Sequence, residues 1–421
     1  MIFFFLTSGL FLGWSLGAND AANVFGSAVG SRMISFLKAA VISSIFVIIG
    51  AVFQGEGASE TLGRLGAVNA LGGSFTVALA AALTVFFMTR LSIPVSTTQA
   101  IVGAIIGWNL FTGSSTDLNS LTTIVTTWIT GPVLGGFFAV LLYMLLRRIK
   151  RGARIHLIRY ESYIRTGLII VGAFAAYSLG ANNIANVMGV FVPAVDIGVI
   201  DLGIVRLDGA QQLFLLGGLA IATGIFTYSE RVMKTVGKNI FELSADAALI
   251  VVLSHSLVLF IFSSARLSDF ISGLGLPAIP LVPVSSSQVI VGAILGIGIL
   301  NNVRNINLRV LGGIASGWVT TPIIACFIAF ISLFFVQNVF DITVQEDGNS
   351  LTDQESIIQY DQSEYPRNDQ SFLLMENKNS SPPPLIFLTD ICPLWNCTAC
   401  FTRTSLNPDS MPIITYRIKW P

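Results

Sequence analysis

Asn19, Asp20 and Asn23 stand in the stretch GANDAANVFGSAVGS, Gly17 to Ser31, directly after the apolar run 2–17. A carboxylate at membrane depth costs about 2.5–3.5 kcal/mol on insertion scales, which makes Asp20 a functional residue by default. Gly loosens the backbone, and Asn and Asp compete with it for hydrogen bonds, so an interrupted helix is expected there. The phrase returns as GANNIANVMGVFV, Gly180 to Val192, with Asn182, Asn183 and Asn186. Carboxylate and amide oxygens, completed by unwound backbone carbonyls, suit a small hard cation. The plainer alternative is that the Asn side chains tie packed helices together.

A second duplicated pattern supplies donors. Ser96-Thr97-Thr98 and Ser285-Ser286-Ser287 each follow a proline by two residues and precede an apolar run, with Gln99 and Gln288 adding an amide apiece. Proline fits the first turn of a helix. Hydroxyls and free backbone N–H groups at such an end bind anions without a formal positive charge. Two of these ends meeting at mid-membrane suit a tetrahedral oxyanion. A single cluster is as readily explained by hydroxyls bonding to their own backbone, but the repeated PVS-x-x-Q frame favours the site. An ionised Asp20 nearby repels an anion unless a bound Na⁺ or a proton offsets it. Cation-coupled anion transport is therefore expected.

These residues need elements to hold them. The 421-residue chain is 53% hydrophobic and 11% charged, with a mean hydropathy of +0.76. Soluble chains carry about 25% charged residues, so this is a polytopic membrane protein. Apolar runs near 2–17, 36–53, 73–89, 93–110 and 121–146, then 163–180, 211–228, 246–263, 281–300 and 311–336, approach the ~20 residues a span needs. The basic stretch RRIKRGARIHLIR, Arg147 to Arg159, divides the two sets of five. Placed in the cytoplasm, it leaves only Arg64, Arg206 and Arg266 in outer loops of the hydrophobic part. The positive-inside rule then puts the N-terminus and the tail outside. The first run lacks the basic flank of a signal peptide and is kept as a span.

Three landmarks recur in the same order. GANDAANV at 17–24 matches GANNIANV at 180–187; IPVSTTQAIVGAIIG at 93–107 matches VPVSSSQVIVGAILG at 282–296; TTWITGPVLGGFF at 126–138 matches SGWVTTPIIACFI at 316–328. An internal duplication with an odd number of segments per half gives inverted repeats. The expected fold class is an all-α polytopic membrane protein of two inverted-topology repeats, with broken helices, re-entrant hairpins and about 10–12 membrane segments. The expected boundaries are repeat 1 at 1–146, a basic cytoplasmic loop at 147–162, repeat 2 at 163–338 and a polar, disordered tail at 339–421. An extra semi-polar segment between Leu253 and Val282 reads as an outer loop or a short interfacial helix.

The paired motifs resemble those of the PiT family of inorganic phosphate transporters, over residues 1–338. The resemblance implies phosphate import across the plasma membrane by symport with Na⁺ or H⁺, and alternating access around a site between the repeats. It implies that Asp20, Asn23 and Asn186 lie at the centre, with Ser96, Thr97, Thr98, Gln99, Ser285, Ser286, Ser287 and Gln288 around the phosphate. Asn19, Asp20, Asn182 and Asn183 are left for the coupling cation. The family commonly has Asp where Asn183 stands and often His where Gln99 and Gln288 stand. Both departures favour Na⁺ over H⁺. Expected partners are phosphate and the lipid bilayer, with a homodimer to be tested for; no nucleic acid and no cofactor beyond the coupling ion are expected.

Rival classes fit less well. A sulfate permease of the same fold is the nearest. A passive anion channel would show Arg or Lys rings, which the spans lack. No GxxxxGK[ST] loop supports a pump. An intramembrane aspartyl protease would need a second Asp at Asn183, and a Ser–His enzyme would need His255 to reach a hairpin serine, without a GxSxG context. His255 reads as a packed core residue. Cys326, in an apolar run, and Cys392, Cys397 and Cys400, in the tail, form no metal site with the distant histidines.

Overall fold

Apolar side chains all round a helix bury it among others or expose it to lipid, and this chain does both. Its computed structural model describes residues 2–66, 68–90, 95–152, 156–195, 197–201, 203, 206–239, 244–301 and 308–345. The helices in order are α1 (Ile2–Gly30), α2 (Phe36–Gln54), α3 (Glu56–Gly66), α4 (Leu71–Arg90), α5 (Thr97–Thr112), α6 (Leu118–Gly152), α7 (Leu157–Met188), α8 (Gly209–Asn239), α9 (Ala245–Ser263), α10 (Ala265–Gly273), α11 (Ser286–Leu300) and α12 (Leu308–Asn338). A small hairpin pairs β1 (Ile200–Asp201) with β2 (Arg206–Leu207). Among the described residues, eight helices are long and apolar enough to cross a membrane. In α4 and α7, 67% of the apolar window is buried, against 22% in α6 and α12. The latter two therefore form the outer wall, with Ile129, Val133, Phe137 and Leu141 exposed at four-residue spacing on α6.

The two halves exchange partners. Gly17 of α1 lies against α8, where a Cβ would stand 2.0 Å from the Ile221 carbonyl oxygen, and Gly224 of α8 stands in the same relation to Trp14, at 2.1 Å. A Cβ on Gly180 of α7 would collide with the Val47 carbonyl oxygen of α2, and one on Gly50 of α2 with that of Tyr177. Along each contact both chains advance together, Gly13 facing Gly217 and Gly26 facing Met233 in the first, Gly50 facing Tyr177 and Gly55 facing Ile184 in the second. The first helix of each half thus runs parallel to the second helix of the other. The short helices follow suit. Gly103 and Gly107 of α5 press on Pro322 and Cys326 of α12; Gly292 and Gly296 of α11 press on Pro132 and Gly136 of α6. Pro132 and Pro322 lie inside their helices, at matching positions of the third landmark.

Several expectations need correction. The polar motifs do not break their helices: α1 runs unbroken for 29 residues and α7 for 32. Their side chains bond to other elements and leave the backbone ladder alone. The interruptions lie before α5 and α11, which span 16 and 15 residues, about 24 and 22 Å at 1.5 Å per residue. The runs 93–110 and 281–300 therefore do not cross as single helices. The basic stretch 147–162 is mainly two helix ends, since α6 continues to Gly152 and α7 starts at Leu157. There Lys150 Nζ lies 2.7 Å from Asp246 Oδ2. The semi-polar segment after α9 contains α10, whereas α3 and the β-hairpin were not legible.

Residues 339–345, expected to begin the tail, return onto the core. Val344 is buried, its carbonyl accepts from Trp108 Nε1 at 3.0 Å, and it crowds Gly73. Residues 346–421, including the rest of the expected tail and its cysteines, lie outside the described residues.

Gly103→Val and Gly292→Val should each lower the melting temperature of the detergent-solubilised protein, through overpacking of about 1–3 kcal/mol or more. Gly298→Ala, where an added Cβ meets nothing within 4 Å, should leave it unchanged or raise it. Equal melting temperatures for all three would refute the close-contact account.

Candidate functional site

The beginnings of α5 and α11 lie inside the bundle. Ser96 caps α5 in extended conformation, its Oγ accepting from Gln99 N at 3.3 Å. Ser285 precedes α11 in the same way, but its Oγ lies 3.3 Å from Ser287 Oγ instead. In both helices the first two N–H groups, of Thr97 and Thr98 and of Ser286 and Ser287, have no carbonyl one turn back. They carry the partial positive charge of the helix dipole, about half a unit at each end. Ser96, Thr97, Thr98, Ser285 and Ser286 are all buried.

Asp20 is 2% exposed and is bonded to the start of α5. Its Oδ1 accepts from Asn19 Nδ2 at 3.0 Å; its Oδ2 accepts from Asn183 Nδ2 at 3.1 Å and from Thr97 Oγ1 at 3.4 Å. All three donors are neutral. Two further bonds cross between halves. Asn23 Nδ2 of α1 donates to Ser286 Oγ of α11 at 3.1 Å, and Asn186 Nδ2 of α7 donates to Thr98 Oγ1 of α5 at 3.0 Å. Asn186 also lies 3.5 Å from Asn183 Oδ1. Each polar helix is thus tied to the opposite half's hydroxyl cluster. Without α1 and α7 running unbroken through their motifs, the spacing of Asp20 to Asn23 and of Asn183 to Asn186 would not place both members on one face.

Asn182 does something else. Its Oδ1 accepts from Val284 N and its Nδ2 donates to Val284 O, both at 2.8 Å. This two-point clamp satisfies the extended backbone leading into α11, to which Thr98 Oγ1 also donates at 3.4 Å. Nδ2 of Asn182 further contacts Asn183 Oδ1 at 2.6 Å. The amide expected among the cation ligands is therefore engaged with the hairpin backbone.

Of the residues singled out in the sequence, Asn19, Asp20, Thr97, Thr98, Asn182, Asn183 and Asn186 join one hydrogen-bonded cluster, and Asn23 and Ser286 bond to each other in a second. Ser96 caps, and Ser285 and Ser287 bond to each other. Gln99 and Gln288 are buried beside it, each with an Oε1 that has no partner among the described residues. His255 was missed. It is fully buried on α9, with Nε2 2.8 Å from Ser286 Oγ. A lone His in an apolar run carries no signal that would place it here. It does reach a hairpin serine, but Nδ1 has no partner among the described residues, so nothing orients it as a triad orients its base.

Asn182→Ala would leave the Val284 N–H buried without its partner and the Val284 C=O with only the longer bond from Thr98, at roughly 1–3 kcal/mol in total. The expected result is a marked fall in melting temperature with or without added salts. An unchanged melting temperature would mean that the clamp contributes nothing.

Comparison with known proteins adds an independent line. A sequence model described as the phosphate transporter family matches residues 16–329. The chain is 30% identical over 327 residues to a protein of Methanocaldococcus jannaschii named as a candidate phosphate permease, with 77% of this chain and 95% of the relative covered. A similarly named protein of Thermococcus kodakarensis is 27% identical over 400 residues, with the same coverage. The fold matches the solved structure of a protein described as the sodium-dependent phosphate transporter, with a TM-score of 0.62 over 80% of this chain and 98% of that one, at 22% identity.

Proposed function

The chain belongs to the phosphate transporter family, and we propose that it imports inorganic phosphate by symport with a cation, Na⁺ in preference to H⁺. The observation that carries this reading is Asp20, buried against the hydroxyl-bearing start of α5 and held only by neutral donors. The helix starts offer an oxyanion its hydrogen bonds. The carboxylate would repel that oxyanion unless a cation travels with it. Asp20 and the neighbouring Asn19 and Asn183 are the proposed cation site, with the clamp at Asn182 shaping the loop beside it. Asn23, Thr97, Thr98, Asn186, Ser285, Ser286 and Ser287 surround the phosphate, with Ser96, Gln99 and Gln288 in its outer wall.

Na⁺ is favoured because the cluster is built from carboxylate, amide and hydroxyl oxygens, which suit a hard cation. The similarly folded transporter is described as sodium-dependent, which supports the same choice. Phosphate is favoured over sulfate because its remaining proton can be donated to Asp20, and sulfate has none. Helix directions support alternating access between inverted halves. The connection 31–35 reaches at most about 18 Å, so α2 must run back alongside α1. Since α7 parallels α2 and α8 parallels α1, the second half runs in the opposite sense to the first. The proposed orientation keeps the basic ends of α6 and α7 in the cytoplasm.

The test is radiolabelled phosphate uptake into proteoliposomes under separately imposed Na⁺ and H⁺ gradients, with sulfate as competitor. Accumulation driven by Na⁺ and unaffected by equimolar sulfate is expected. Asp20→Asn should abolish accumulation while the protein still inserts. Normal accumulation by that variant, or uptake that only dissipates a phosphate gradient, would defeat the symport reading.

A further inference from the structure

The two hydroxyl clusters are not held alike. In the first, the Thr97 hydroxyl proton is directed to Asp20 Oδ2. In the second, the repeat-equivalent Ser286 receives Asn23 Nδ2 and stands 2.8 Å from His255 Nε2. Nothing of the kind exists in the first half, because the chain has two histidines and the other is His156, at the start of α7. His255 belongs to α9, which packs against α7, α6 and α11. The hydroxyls beside it are occupied, with Ser254 bonded to Ile250 O and Ser256 to Leu253 O.

A serine hydroxyl has one proton and two acceptor lone pairs. If His255 accepts, the Ser286 proton is directed to Nε2, and the ring carries its own hydrogen on Nδ1. That hydrogen is then a buried donor with no partner among the described residues. If His255 donates from Nε2, Nδ1 is a bare lone pair. Orphaned buried N–H groups are rarer than under-satisfied acceptors among backbone groups, and the same ordering favours the donating tautomer here. Both lone pairs of Ser286 are then occupied, one by Asn23 and one by His255. Among the described residues, no acceptor lies within hydrogen-bond reach of its proton.

We propose that His255 is a positioning residue for the transported oxyanion: by donating Nε2–H to Ser286 Oγ, it turns the Ser286 hydroxyl into an obligate donor to that anion. This rests on the phosphate reading of the site. The two hairpins then play complementary parts. Asp20 and Thr97 present an acceptor to a P–OH, while Ser286 presents a donor to a P–O⁻.

Glutamine and asparagine at position 255 separate this role from packing. A Gln amide reaches the position of Nε2, and an Asn amide only that of Nδ1. His255→Gln should keep the phosphate KM within about twofold of the unmodified protein, and His255→Asn should raise it roughly tenfold, the effect of one hydrogen bond to a charged ligand. Maximal rates should stay within about twofold in both. Ser286→Ala should match His255→Asn, and the double variant should be no worse than Ser286→Ala alone. An unshifted KM in His255→Asn, equal defects in the Gln and Asn variants, or losses that multiply in the double variant would each overturn the proposal. Absence of any phosphate uptake by the inserted unmodified protein would instead overturn the reading beneath it.

Discussion

Taking a carboxylate out of water costs several kcal/mol even after the surroundings relax. Asp20 bears that cost with neutral partners, drawn from its own helix, from α5 and from α7. No single element could satisfy it. The donors come together only when the two halves are assembled, so the buried charge and the interface between halves depend on each other. A group held this way is poised to take a positive charge as readily as to repel a negative one.

Close backbone approach makes the assembly feasible. The reciprocal glycine contacts of α1 with α8 and of α2 with α7 leave no room for a Cβ. In lipid, van der Waals packing takes over much of what the hydrophobic effect does in water, and glycine lets helices gain it. The contacts of Gly103 with Pro322 and of Gly292 with Pro132 also fix the depth at which α5 and α11 begin. At each contact the glycine, lacking a Cβ, admits the proline's own carbonyl oxygen to the neighbouring backbone. The height of the hydroxyl clusters relative to Asp20 is thus set by the outer wall of the protein.

The halves match in frame and differ in chemistry. Asn183 stands where a second carboxylate would mirror Asp20, and the second cluster leans on His255 where the first leans on Asp20. A symmetric arrangement would bury two carboxylates close together, and keeping one lowers their mutual repulsion.

Much of this was legible beforehand. The duplicated motifs identified Asp20, the Asn residues and the hydroxyl clusters, because polar groups in a strongly apolar chain are costly and a repeated pattern of them is hard to explain otherwise. Composition and length established a many-helix membrane protein for the same reason. Other features were out of reach. Whether Gly17 to Asn23 unwinds depends on where its side chains find partners, and those partners are more than seventy residues away. Asn182 looked like its neighbours but clamps Val284, and His255 looked like a core residue but touches Ser286. Val344, expected in a solvated tail, is packed against Trp108. The sequence by itself determined which groups must be hidden from lipid, since that follows from the price of polarity in an apolar medium. Only the tertiary structure decided which of them meet, because hydrogen bonds act over about 3 Å and the chain brings its residues that close by folding alone.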